Sequence, residues 1–247
     1  MKSLLIALSA CMLALPGHAD TVSVAVAANF TVPMHKITAA FEQETGHRVT
    51  LAFGSTGRFY AQIKNGAPFE VLLAADDETP AKLEQEGLSI KGSRFTYAVG
   101  QLVLWSPQAA MVDAQGQVLK TGRFNKIALA DPKLAPYGLA ALETMTRLGV
   151  LASLRPQWVL GENIAQTYQF VSTGNAQLGF VALSQVLTDG RIAQGSAWVI
   201  PEELHTPIRQ DALLLRQGQA KPAALALLHY LQSEKARHII RASGYKV

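Results

Sequence analysis

The stretch VSVAVAANFTVPMHKITAAFEQETGHRVTLAFGSTGRFYAQI, residues 22–63, decides the fold. It passes from an apolar β-rich run (22–28) through a helical pattern (32–45) to a second apolar run (49–53) and a second helix near 58–65. Strands that are apolar on nearly every residue, separated by single helices, predict a parallel sheet covered on both faces. The alternation continues with a strand at 71–75 and a helix near 80–85. A long strand pattern at 96–105 leads into a second set: strand 126–131, helix 139–148, a helix from about 164, and strands 178–182 and 198–200. After Pro201 come a strand at 211–216 and helices at 222–231 and 234–242. The expectation is an α/β protein of two Rossmann-like lobes joined by a two-strand hinge, with crossings near 97–100 and 205–210 and a ligand cleft between the lobes. The expected lobes are 20–98 with 208–247, and 99–207.

Residues 1–19 hold one lysine, an apolar run, a Pro16-Gly17 break and small residues before Asp20, the pattern of a secretory signal peptide rather than a membrane span. Leu8-Ser9-Ala10-Cys11 also fits a lipoprotein cleavage box, but apolar residues continue past Cys11, which favours the cut after Ala19. Cys11 is the one cysteine, so a chain cut after Ala19 has neither disulfides nor thiolate chemistry. Such a chain has ample apolar content for a large core, the hydrophobic share being 49%. The formal charge of +4, less Lys2, comes without a Lys/Arg cluster and argues against nucleic acid. The leader predicts a secreted protein.

In an open parallel sheet, ligands sit beyond the carboxyl ends of the strands, where helix N-termini gather. Four turns occupy those ends: Ala27-Ala28-Asn29-Phe30, Gly54-Ser55-Thr56-Gly57, Ala135-Pro136-Tyr137-Gly138 and Gly161-Glu162-Asn163-Ile164, two from each lobe. Hydroxyls, a phenol, amides and free helix-start N–H groups could together cage an anion. The second turn is not a P-loop, since no lysine follows its last glycine. Each member also has a plain structural role open to it: Asn29, Thr56 and Asn163 as helix caps, Tyr137 as a packed turn aromatic. Arg58 reads as pointing outward, and Asp76 and Asp77 as caps for the helix at Pro80.

The order of motifs Ala-Ala-Asn-Phe (27–30), Phe-Gly-Ser-Thr-Gly (53–57), Asn-Gly-Ala-Pro-Phe (65–69), Ala-Asp-Asp-Glu (75–78), Gly-Ser-Arg-Phe-Thr-Tyr-Ala-Val-Gly (92–100), Asp-Pro-Lys-Leu-Ala-Pro-Tyr-Gly (131–138) and Leu-Gly-Phe-Val-Ala-Leu (178–183) closely resembles the periplasmic molybdate-binding proteins of ABC importers. The resemblance spans essentially the whole chain after the leader. It implies a type II periplasmic-binding-protein fold that closes on molybdate or tungstate, acts as a monomer, and delivers to a membrane permease. It implies oxyanion contacts from Asn29, Thr56, Tyr137 and Ile164, with Ala28, Ser55 and Asn163 as further candidates. Molybdenum would be held only as its oxyanion, with no cofactor and no direct protein ligand. The chain departs from one branch of the family: Asn29 and Thr56 replace serines, and Ala182 stands where a tyrosine is expected, while Tyr137 supplies a phenol as another branch does.

A hydrolase built on Ser55, His35 and Asp76 lacks a Gly-x-Ser-x-Gly elbow, and the histidines show no metal-ligand spacing, so neither an enzyme nor a metal site is expected. A binding protein for sulfate, thiosulfate or another tetrahedral oxyanion is the competing expectation.

Overall fold

The computed structural model describes residues 19–247, so the leader at 1–19, all but its last residue, and Cys11 lie outside the described residues. Strand β1 (Thr21–Ala27) lies between β2 (Arg48–Gly54) and β3 (Val71–Leu73), parallel to both. Val22, Val24, Ala25 and Val26 are fully buried, because helices cover both faces of the sheet. Helix α1 (Thr31–Thr45) lays Met34, Ile37 and Phe41 on one face at helical spacing and ends at Gly46, whose left-handed φ of 74° favours glycine. Helices α2 (Thr56–Lys64) and α3 (Glu78–Gln85) follow β2 and β3.

Strand β4 (Phe95–Gly100) closes this half and β5 (Leu102–Ser106) opens the next. The long strand expected at 96–105 is therefore broken at Gln101, because its two ends pair in different sheets. The second half contains α4 (Val118–Thr121), β6 (Ile127–Ala130), α5 (Pro136–Arg147), α6 (Leu151–Leu154), β7 (Trp158–Gly161), α7 (Ile164–Ser172), β8 (Leu178–Ala182) and α8 (Leu183–Val186). A small hairpin, β9 (Leu187–Thr188) with β10 (Arg191–Ile192), precedes β11 (Ser196–Val199). The chain then returns through β12 (Ile208–Leu214) and ends in α9 (Pro222–Leu231) and α10 (Glu234–Ala242), whose buried faces share a core with β1 and α1.

The two sheets run β2-β1-β3-β12-β4 and β11-β5-β8-β6-β7. Neither is purely parallel: β12 is antiparallel to β3 and β4, and β5 is antiparallel to β8 and β11. The antiparallel members flank the two passages between the sheets, which lie side by side, with Ile208 paired to Gly100.

Both sheets direct the carboxyl ends of their parallel strands at the space between them, as expected for this α/β class. Helix α5 begins hard against the end of β6 because Gly138 has no side chain; a Cβ there would lie 2.2 Å from the Ala130 carbonyl oxygen. Gly138→Ala should therefore destabilise the fold by about 1–3 kcal/mol through forced backbone displacement, read as a lower urea midpoint.

Candidate functional site

The four turns do meet. Ala28, Asn29, Ser55, Thr56, Tyr137, Asn163 and Ile164 line one small cavity of about 10 Å³ between the sheets. That is about the room a single water needs, and it excludes a carbon skeleton. Helices α2, α5 and α7 each start at this point, and first-turn N–H groups have no partner inside their own helix. Their dipoles add roughly half a positive charge each.

The side chains play different parts. Ser55 Oγ is buried and has no hydrogen-bond partner. The Thr56 hydroxyl accepts from the Ala75 N–H at 2.9 Å, which leaves its proton for another acceptor. Neither residue caps α2. Asn163 does cap: its side chain accepts from Ala165 N and Gln166 N, both at 3.0 Å. Ile164 opens α7 with its N–H, while its carbonyl accepts from Gln185 Nε2 at 3.0 Å. The same Gln185 accepts from the Ala182 N–H, tying the end of β8 to this turn. Ala182 is fully buried, so a phenol at that position would require repacking.

Asn29 sits inside a 3₁₀ turn and caps nothing. Its Nδ2 donates to Gln210 Oε1 at 2.9 Å and to the Tyr245 oxygen at 3.0 Å, so both amide hydrogens are engaged within the protein. Its carbonyl accepts from Ser184 Oγ at 2.9 Å and Tyr245 OH at 2.6 Å. The Tyr137 oxygen accepts from Gln210 Nε2 at 3.2 Å and lies against Gly100, where any Cβ would come within 2.1 Å of it. Burial raises the phenols of Tyr97 and Tyr137 well above their ordinary value and pushes Tyr245 up to about 12, so all three stay protonated at neutral pH.

Gln210, Tyr245, Ser184 and Gly100 were not among the candidates. The one sequence signal for Gln210 is a polar side chain interrupting the apolar pattern of IRQDALL. Tyr245 and Ser184 leave none, since they reach the site through tertiary packing.

Two further contacts join the two halves beside the cavity. Gly57 N donates to the Leu134 carbonyl at 3.0 Å. Arg58 is not among the residues lining the cavity, and its exposed side chain forms an ion pair with Glu162 at 2.6 Å across the cleft. Both partners are exposed enough that the pair contributes at most about 1 kcal/mol.

A larger groove of about 230 Å³ adjoins the cavity and shares Ala75, Ala135 and Pro136 with it. Asp76, Asp77, Glu78 and Glu143 line it against Lys133 and Arg209, a poor setting for an anion. Asp76 accepts from the Thr79 N–H at 2.9 Å and the Thr79 hydroxyl at 3.2 Å, holding the start of α3 as expected. Asp77 makes no side-chain cap.

The fold and this site define a two-sheet binding protein that encloses a small solute. Residues 22–246 match the family model described as bacterial extracellular solute-binding protein, and the chain belongs to that family. Within it, the chain is 55% identical over 245 residues to the molybdate-binding protein ModA of Azotobacter vinelandii, covering 99% of this chain and 97% of that protein. It is 53% identical over 233 residues to the protein of the same name from Rhodobacter capsulatus, covering 94% and 91%. The solved Azotobacter vinelandii periplasmic molybdate-binding protein superposes with a TM-score of 0.89 at 39% identity, over 92% of this chain and 99% of that one.

Burial, followed by the neighbouring carboxylates, raises the Asp76 pKa to about 6. The folded protein then holds a proton on Asp76 that the unfolded chain releases near pH 4, so this group favours folding at low pH and the benefit is lost as pH rises through about 6. Asp76→Asn, which retains an acceptor for Thr79, should gain stability relative to the parent between pH 4.5 and pH 7 in paired urea melts. An unchanged difference would contradict the assignment.

Proposed function

We propose that this protein binds molybdate, with tungstate as its close chemical equivalent, outside the cytoplasm and passes it to the membrane permease of an ABC importer. The observation that carries this reading is the Ser55 hydroxyl, buried without a partner beside a cavity on which three helix N-termini converge. A buried unpaired hydroxyl costs about 1–3 kcal/mol, which an oxyanion oxygen would offset. The names of the relatives at 55% and 53% identity support molybdate as that anion.

Molybdate at neutral pH is a tetrahedral dianion whose oxygens all accept and none donate. The donors proposed for it are the hydroxyls of Ser55 and Thr56, the Tyr137 phenol, and the first-turn N–H groups at Ala28, Asn29 and Ile164. Molybdenum meets no protein atom directly, and the binding involves no cofactor and no turnover. Asn29 contributes through its backbone and by fixing its neighbours, because its amide hydrogens are engaged elsewhere. Asn163 contributes by holding α7 in place. The bodies that open and close are 20–98 with 208–247, and 99–207. The protein acts as a monomer in the periplasm, with residues 1–19 as its export signal and no role for nucleic acid.

Phosphate near pH 7 carries a proton for which a cage of donors has no acceptor, at a cost of about 1–3 kcal/mol. Sulfate and thiosulfate, the competing ligands, carry no such proton, and cavity size must separate them from molybdate. Calorimetric titration of the purified protein should give tight binding of molybdate and tungstate, much weaker binding of sulfate, and none of phosphate. Tighter binding of sulfate than of molybdate would reverse the reading. Ser55→Ala should weaken molybdate binding by about 1–3 kcal/mol without loss of stability, whereas Asn163→Ala should cost about 1 kcal/mol of stability through the lost cap. Equal affinity of Ser55→Ala and the parent would remove Ser55 from the contact set.

A further inference from the structure

Gln210 is fully buried at the irregular pairing of β12 with β4, beside the passage between the sheets. It touches both sides of the cleft. Its Oε1 accepts from Asn29 Nδ2 at 2.9 Å, its Nε2 donates to the Tyr137 oxygen at 3.2 Å, and the one proton of Tyr97 is shared between the Ala74 carbonyl at 2.9 Å and Gln210 Oε1 at 3.0 Å.

Asn29 and Tyr245 set this orientation. Tyr245 has one proton and directs it at the Asn29 carbonyl, 2.6 Å away. Its lone pairs therefore face the Asn29 side chain, and the atom they meet at 3.0 Å must be Nδ2. The second hydrogen on Nδ2 then faces Gln210, which has to turn its oxygen to Asn29 and its nitrogen to Tyr137. With that N–H occupying an acceptor site on Tyr137, the phenol cannot donate back to Gln210. Its single proton is left for two acceptors, the neighbouring Tyr245 oxygen and an anion in the cavity that Tyr137 lines.

We propose that Gln210 is a positioning residue for the oxyanion site: its amide, locked by Asn29 and Tyr245, makes the Tyr137 hydroxyl a donor toward the bound anion. The inference rests on the oxyanion reading above. It also gives the hinge a part in affinity, because Gln210 belongs to the first sheet and Tyr137 to the second half of the chain. The donor is set only when the two come together.

Gln210→Glu tests this with almost no change of shape. One oxygen of the introduced carboxyl keeps the bonds to Asn29 and Tyr97. When protonated, the other donates to Tyr137 as the amide does; when ionised, it accepts the Tyr137 proton and withdraws it from the anion. Burial delays that ionisation into the near-neutral range. Molybdate titrations between pH 5.5 and 8.5 should show the variant approaching the parent at the acid end and falling at least about tenfold below it at the alkaline end. In the Tyr137→Phe background the same change should cost less than about threefold at every pH, because the group it acts through is gone.

An equal loss in both backgrounds, or a loss independent of pH, would show charge repulsion or general damage and overturn the proposal. If the charged variant fails to fold by circular dichroism, Gln210→Met, with neither donor nor comparable acceptor, is compared in the same two backgrounds, and additive losses again overturn it. A parent that binds no molybdate overturns the functional reading, and this inference with it. A parent that binds, with losses that add, overturns the inference alone.

Discussion

The site depends on helix N-termini meeting in a confined space from which charged side chains are kept out. Helices α2, α5 and α7 begin at one small cavity, and none of its lining residues is acidic or basic. A dianion placed there is balanced by fixed backbone dipoles and neutral donors rather than by a mobile cation. The charged residues near the cleft are all otherwise committed or displaced. Arg58 is paired with Glu162, and the acidic residues at 76–78 face the adjoining groove.

Small residues make that confinement achievable. Ala27, Ala28 and Ala75 belong to the same apolar cluster as the core of the second half, so the seam between the sheets continues directly into packed interior. Gly57, which donates to Leu134, and Gly100, which lies against the Tyr137 oxygen, mark two close approaches beside the site. Around them the polar atoms form one connected set, from Ser184 and Tyr245 through Asn29 and Gln210 to Tyr97 and Tyr137. Such a buried network specifies a single arrangement, because any break leaves an unpaired group in a place water cannot reach.

Much of this could be read from the sequence, and the reasons for the remainder are specific. The strand and helix order was legible because β1, β6 and β8 are buried on both faces and so carry nearly unbroken apolar runs. The strand break at Gln101 was not, since the apolar pattern is the same on either side and only the pairing partners change. The hairpin of β9 and β10 has a turn signal in Asp189-Gly190, both with positive φ, but its two-residue strands are too short to carry an alternating pattern. At the site, the four turns were legible from their position after strands. The division of labour within them was not: Ser55 and Thr56 are adjacent hydroxyls, and only the Ala75 N–H, supplied by a different strand end, distinguishes them. Asn29 looked like a cap and is instead the centre of a network with Gln210 and Tyr245, residues more than 180 positions away.

The central claim is the place and manner in which the anion is held. Its most direct test is anomalous diffraction at the molybdenum edge from crystals of the protein grown with molybdate. The account predicts one strong peak in the small cavity, with oxygens at hydrogen-bonding distance from Ser55 Oγ, Tyr137 OH and the Ile164 N–H. A peak in the adjoining groove beside Asp76, or a bound anion whose oxygens meet none of those three donors, would contradict it.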